Sequence, residues 1–169
     1  MKNRLMIIVL LMVSCCLCFA CGDFSTTEEY LRIHIRANSN ESCDQEIKYK
    51  IKDIVVDYLT PYIVECDSVE DVKNMINSHD KNIESIIDNY LMQCGYCYKS
   101  EVLLNKEFFP TRAYENLTLE ANYYDAIIIN LGRGDGDNWW CVVYPPLCFK
   151  ESNNVVYKSK ILEIIKKIL

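Results

Sequence analysis

Apolar and polar residues alternate along Leu31 to Ala37, with Leu31, Ile33 and Ile35 set against Arg32, His34 and Arg36. A period of two over this length predicts a half-buried strand with a cationic outer face. Asn38-Ser39-Asn40 then turns the chain, and Ser42 followed three residues later by Gln45 reads as a capping box. Behind it Ile47, Ile51, Ile54, Val55, Tyr58 and Leu59 recur at helical spacing, with Lys48, Lys52, Asp53 and Asp57 off the stripe. Pro61 is expected to end this helix near Thr60, because proline disfavours helical backbone in the residue before it. A second helix is predicted behind Ser68, where Glu70 and Asp71 suit the positive end of the dipole. Its stripe runs through Val72, Met75, Ile76, His79, Ile83, Ile86, Ile87 and Tyr90, and Gly95 terminates it. The weak helix formers Asn77-Ser78-His79-Asp80 mark where it would kink or split.

From Tyr96 the period returns to two: Tyr98, Ser100, Val102 and Leu104 alternate with Cys97, Lys99, Glu101 and Leu103. A short strand is expected over Glu115 to Leu119 and a stronger one over Tyr124 to Leu131. In the latter, Ala126 to Ile129 is apolar on both faces, as in a strand at the middle of a sheet. Trp140 to Tyr144 reads as a further strand, closed by Pro145-Pro146. The order is an N-terminal strand, two amphipathic helices, then a mostly antiparallel sheet. That is an α+β fold, a two-layer single domain. Lys158 to Leu169 carries Ile161, Leu162, Ile164, Ile165, Ile168 and Leu169 between lysines and reads as an amphipathic docking helix.

A chain of 169 residues, half of them apolar, suits one globular domain. Residues 1–22 read differently, as an export signal: Lys2 and Arg4 precede an uncharged run from Leu5 to Gly22. The run is also about the minimum length for a membrane anchor, and Phe19-Ala20-Cys21-Gly22 resembles the end of a lipobox. Each reading puts residues 23–169 outside the cytoplasm, with the domain over 23–150 and an amphipathic tail over 151–169. A cleaved chain is expected to begin between Cys21 and Asp23, which N-terminal sequencing of exported material reads directly; recovery of Met1 favours an anchor. Export removes Lys2 and Arg4 and no acid, so the mature part is more negative than the −6 of the whole chain. That balance argues against nucleic acid or anionic lipid as the main partner.

The least ordinary stretch runs from Asn130 to Phe149. It holds Gly132, Gly134 and Gly136 at alternate positions, then Trp139 and Trp140, then Cys141 and Cys148 around the prolines. Glycines so spaced permit positive φ or close approach of another group. The loop departs from a dinucleotide fingerprint and has no helix behind it. Asp135 and Asp137 lack the later bidentate glutamate of a calcium loop. Cys94-Gly95-Tyr96-Cys97 has redox spacing, but here a helix ends and a strand begins, the reverse of the thioredoxin order. A structural zinc would need a second such pair. His34 and His79, the two histidines, read as packing or surface residues. No catalytic, metal or cofactor motif emerges. For the tryptophans two readings stand: core residues under the sheet, or a docking surface.

Gly132 to Phe149, with its Gly-x-Gly-x-Gly-x-Asn-Trp-Trp-Cys-Val-x-x-Pro-Pro-Leu-Cys-Phe order, resembles the signature of the stage II sporulation protein R family. Leu31-Arg32-Ile33-His34-Ile35-Arg36-Ala37-Asn38-Ser39 and Phe109-Pro110-Thr111-Arg112-x-Tyr114 match in the same order. Glu120-Ala121-Asn122 departs locally from the family's pattern, and Cys43, Cys66, Cys94 and Cys97 look extra. The resemblance implies a non-enzymatic signalling protein made in the forespore and secreted into the space facing the mother cell. There it is needed to activate the membrane-bound protease that processes pro-sigma-E, which makes that protease the expected partner. Neither a nucleic acid nor a small-molecule substrate is implied, and no cofactor or metal. Cys141 and Cys148, both inside the family-like motif and separated by a prolyl reversal, are expected to pair. Arg133, Asp135, Asn138, Trp139 and Trp140 are the expected partner-binding residues. Two alternatives are an exported thiol-disulfide oxidoreductase using Cys94 and Cys97, and a cell-wall-binding module.

Overall fold

The first strand, β1 (Leu31–Arg36), is hydrogen-bonded on both sides. The computed structural model describes residues 30–114 and 117–148, so the leader and the tail beyond Cys148 lie outside the described residues. After β1 come α1 (Ser42–Ile63), α2 (Val69–Gln93), β2 (Ser100–Phe109), β3 (Arg112–Tyr114), β4 (Leu117–Leu119), β5 (Asn122–Leu131) and β6 (Asn138–Tyr144). Four strands form one sheet in the order β2-β5-β1-β6, while among the described residues β3 and β4 pair only with each other. β1 runs parallel to β5, and the other pairings are antiparallel. This is the α+β single domain expected, with β5 inside the sheet. Among the described residues no helix is long and apolar enough to cross a membrane.

Both helices cover one face of the sheet. Leu31, Ile33, Ile35, Ile127, Ile129, Leu131, Cys141 and Val143 meet Ile47, Ile51, Val55, Leu59, Val72, Ile76, Ile83 and Ile87 in the main core. Burying side chains of this size contributes about 1.5–3 kcal/mol each. The opposite face is also covered. Arg32 is fully buried and His34 is 4% exposed, against the expected cationic outer face. Alternation reports only that the two faces of β1 differ, and here Phe109, Tyr124 and Trp140 lie over the polar one.

Helix boundaries show which local rules prevailed. Ser68 caps α2 as expected, its hydroxyl accepting from the Asp71 N–H at 3.1 Å. Gly95, at φ +83°, closes it: Tyr96 N–H reaches the Leu91 carbonyl and Gly95 N–H the Met92 carbonyl. α2 runs unbroken through Asn77 to Asp80. α1 continues past Thr60 to Ile63 with Pro61 inside its last turn, where Ile63 is buried in the core and holds the turn. The capping box is absent: Glu41 is the N-cap without a side-chain cap, and Gln45 donates to the Ser39 carbonyl instead. Lys48, placed off the stripe by periodicity, is 1% exposed.

The second half differs in two places. The strand expected to begin near Tyr96 starts at Ser100, where Asp88 accepts from the Ser100 N–H and Glu84 from the Val102 N–H. Those carboxylates on α2 occupy donors of an edge strand that would otherwise be open. The single strand expected over Glu115 to Leu119 is instead the β3–β4 hairpin, with Arg112 opposite Leu119.

Candidate functional site

The glycine-rich loop between β5 and β6 folds onto the turn between β1 and α1. Gly132 and Gly134 take positive φ, +59° and +66°. Gly136 uses the other freedom glycine offers, close approach. Its N–H donates to the Ala37 carbonyl at 2.9 Å, and a Cβ there would overlap the Ser39 carbonyl. Arg133 N–H donates to Asn38 Oδ1, Asp137 N–H donates to Asn40 Oδ1, and Gly132 N–H donates to the Lys99 carbonyl. Each polar residue of the Asn38-Ser39-Asn40 turn is thereby committed to holding the loop or to the network below it.

That network centres on Asp44, which is 5% exposed. Its carboxylate accepts from Asn38 Nδ2 at 2.8 Å, Ser39 Oγ at 2.6 Å and the Tyr98 hydroxyl at 2.7 Å. Burial alone would raise its pKa, but the three donors outweigh it and hold the group below its ordinary value. Burial and the Asp44 contact raise Tyr98, which stays a neutral donor. Lys48 donates to Gln45 Oε1 at 2.7 Å and to the Asp137 carbonyl at 2.8 Å, with burial lowering its pKa. The loop is thus pinned from below by side chains of the β1–α1 segment. Nothing in the sequence marked Asp44, Lys48 or Tyr98; the polar triplet at 38–40 was the available signal.

The sequence-predicted residues divide over this frame. Arg133, Asp135 and Asn138 are exposed, and Arg133 Nε lies 3.2 Å from Asp135, a surface pair of little energetic weight. Trp139 and Trp140, adjacent on β6, are each half-buried on opposite faces. Trp139 packs against the main core on the helical side, with Lys52 Nζ 5.9 Å from its ring centroid. Trp140 lies on the other side, 5.4 Å from the His34 ring and 4.3 Å from the Arg112 guanidinium. The two indoles do not form one patch.

Behind the sheet, Glu107 reaches across β5 to β1. One oxygen meets His34 Nδ1 at 2.7 Å and the other pairs with Arg36. Burial, with Arg36 and Arg32 alongside, lowers the His34 pKa to about 4, so the ring is neutral at pH 7. A side-chain hydrogen bond with Asn138 opposes that shift, and the Glu107 carboxylate selects the tautomer in which Nδ1–H donates to it.

Cys141 and Cys148 lie side by side, with Cα atoms 6.2 Å apart, inside the range a disulfide requires. Replacing both by serine is expected to cost about 2–3 kcal/mol, the loop being short. Denaturant unfolding of oxidised and double-serine protein measures it, and peptide mapping without reductant should recover the linked pair. Cys94 and Cys97 are exposed thiols at the end of α2, Cys94 being its C-cap. Among the described residues no group of three or more His, Cys, Asp or Glu side chains could hold a metal ion.

Comparison with known proteins covers the same region. Residues 27–154 match the family described as Stage II sporulation protein R. Stage II sporulation protein R of Bacillus subtilis (strain 168) is 37% identical over 127 residues, covering 75% of this chain and 57% of that protein. The chain therefore aligns with somewhat over half the length of this curated relative. No solved structure matches. With all three sequence stretches in place on one domain, the chain belongs to the stage II sporulation protein R family, and its role lies in sporulation.

Proposed function

We propose that the protein is an exported signal of the developing spore, made in the forespore and acting across the intermembrane space to activate the membrane-bound protease that processes pro-sigma-E. The observation that carries the reading is the family match, which runs through the whole described domain. The protein acts as a ligand, not as a catalyst. Its contact surface is the Gly132–Asn138 loop with one flanking indole, a knuckle that is exposed at Arg133, Asp135 and Asn138 yet anchored underneath. Such preorganisation reduces the ordering cost of binding.

The test pairs two measurements on Arg133→Ala, Trp139→Ala and Trp140→Ala: thermal unfolding of the exported protein, and precursor processing in sporulating cells. An indole acting as a binding anchor should cost about 2 kcal/mol or more in affinity on truncation, with folding intact. A core indole should instead cost about 3–5 kcal/mol in stability. Arg133→Ala is expected to fold normally and to impair processing. If every variant that blocks processing also unfolds, the signalling surface lies elsewhere on the domain.

A further inference from the structure

The three stretches that carry the family resemblance meet behind the sheet, away from the loop assigned to signalling. Arg32 and His34 come from the first, Phe109, Arg112 and Tyr114 from the second, and Trp140 from the third. Arg32 is fully buried with its guanidinium 4.1 Å from the Phe109 ring centroid and 5.0 Å from that of Tyr124. Its Nη2 donates to the Tyr114 hydroxyl at 2.7 Å. Among the described residues its Nε and Nη1 are buried without a hydrogen-bond partner, and so is Trp140 Nε1. Buried donors are normally satisfied, and a buried cation without a counter-charge is more costly still. Of the carboxylates on this face, Glu107 is already held by His34 and Arg36, and Glu101 accepts from Asn130. A second guanidinium, Arg112, stands close enough to disfavour the charge on Arg32. Among the described residues the local charge is positive and uncompensated.

We propose that this face, between Arg32, Arg112 and Trp140, is a binding site for a carboxylate. The unpaired Arg32 and Trp140 N–H groups supply donors, and a single negative charge balances the buried guanidinium. Phe109, Tyr124 and Tyr114 wall the site with rings, which suits a small planar monoanion better than a fully hydrated dianion. Arg112 is exposed and Trp140 half-buried, so the site has a rim open to solvent. The carboxylate belongs either to a free small acid or to the end of a peptide chain. The site stands independently of the signalling role proposed above.

Trp139, on the opposite face of the same strand, provides an internal reference. In full-length ¹⁵N-labelled protein, titration with acetate at constant ionic strength should move the Trp140 indole N–H signal saturably and leave that of Trp139 in place. Arg32→Gln should weaken binding at least about tenfold, the scale of a lost charge-assisted hydrogen bond. Arg112→Gln, an exposed change that leaves the fold intact, should weaken it several-fold and decides the matter if Arg32→Gln does not fold. A short peptide with a free C-terminus, and the same peptide amidated, separate the sources. Tighter binding of the acid form than of acetate identifies a chain end, and equal binding identifies a small acid. Equal binding of acid and amide peptides overturns the proposal. So does a response to inorganic phosphate but not to acetate, parallel movement of both indoles, or no movement of Trp140 at all.

Discussion

Replacing Asp44 by alanine is expected to lower folding stability by about 3 kcal/mol, one of the two largest losses expected from a single polar or glycine position. The carboxylate is the common acceptor for Asn38, Ser39 and Tyr98, and its removal leaves three donors facing a gap. Hydrogen bonds to a charged group are worth about 1.5–3 kcal/mol each but are not additive, and Asn38 and Ser39 can recover part of the loss from water. Two further consequences distinguish this from generic damage. Asn38 also holds the Arg133 N–H, so the loop should loosen along with the network, visible as faster amide exchange at Gly132–Asp137. The second is a pH dependence. The folded pKa of Asp44 lies below its ordinary value of 3.8. Its contribution is therefore complete above that value and is lost as pH falls from about 3.8 through the folded pKa. Asp44→Asn should flatten this part of the acid limb in chemical denaturation from pH 5 downward. An acid limb identical to that of the parent would show that Asp44 contributes nothing to it.

Gly136→Ala should cost a comparable amount, about 3 kcal/mol, and lower Tm by roughly 10 °C. A Cβ at this position overlaps the Ser39 carbonyl, which is backbone and cannot rotate away. The loop must lift, breaking the Gly136–Ala37 hydrogen bond and straining those from Arg133 and Asp137. Gly95→Ala is the matched control. Gly95 has φ +83° but open space around its Cβ position, so the substitution should cost only the backbone term, about 1–2 kcal/mol. Gly136 carries no positive-φ term, so an unchanged stability in Gly136→Ala would mean that crowding there contributes nothing. The comparison also bears on what the alternating glycines are for. Gly132 and Gly134 serve turn geometry, while Gly132 and Gly136 press closely on the Asn38–Ser39 turn, so the loop is a clamped knuckle and not a pliable strap.

The helices, the central place of β5 and the α+β order were readable because each rests on a long periodic signal. What was hidden depends on contacts between distant segments. Lys48 sits one position from a stripe residue, and only the arrival of the Asp137 carbonyl makes its burial favourable. Pro61 stays helical because Ile63 beyond it reaches the core. The alternation in β1 announced two unlike faces, yet could not reveal that the polar face is roofed by aromatic rings from β2, β5 and β6. Of the candidate site, the loop and its exposed residues were legible. The opposed directions of Trp139 and Trp140 follow from strand alternation once both are placed on β6. The nearness of Arg32 and Trp140 follows from the pairing of β1 with β6, and Arg112 arrives from the separate β3–β4 pair.

That order makes the first strand the last to be completed. β1 lies between β5 and β6, and Arg36 meets Asn130, 94 positions later. Under the export proposed above, N-terminus first, α1 and α2 would emerge early and could form locally. The strand beside them has no partner until Asn122–Tyr144 follows through the channel. Assembly is therefore postponed by topology, and under the proposed export such a chain would stay translocation-competent and complete its sheet only on the far side of the membrane.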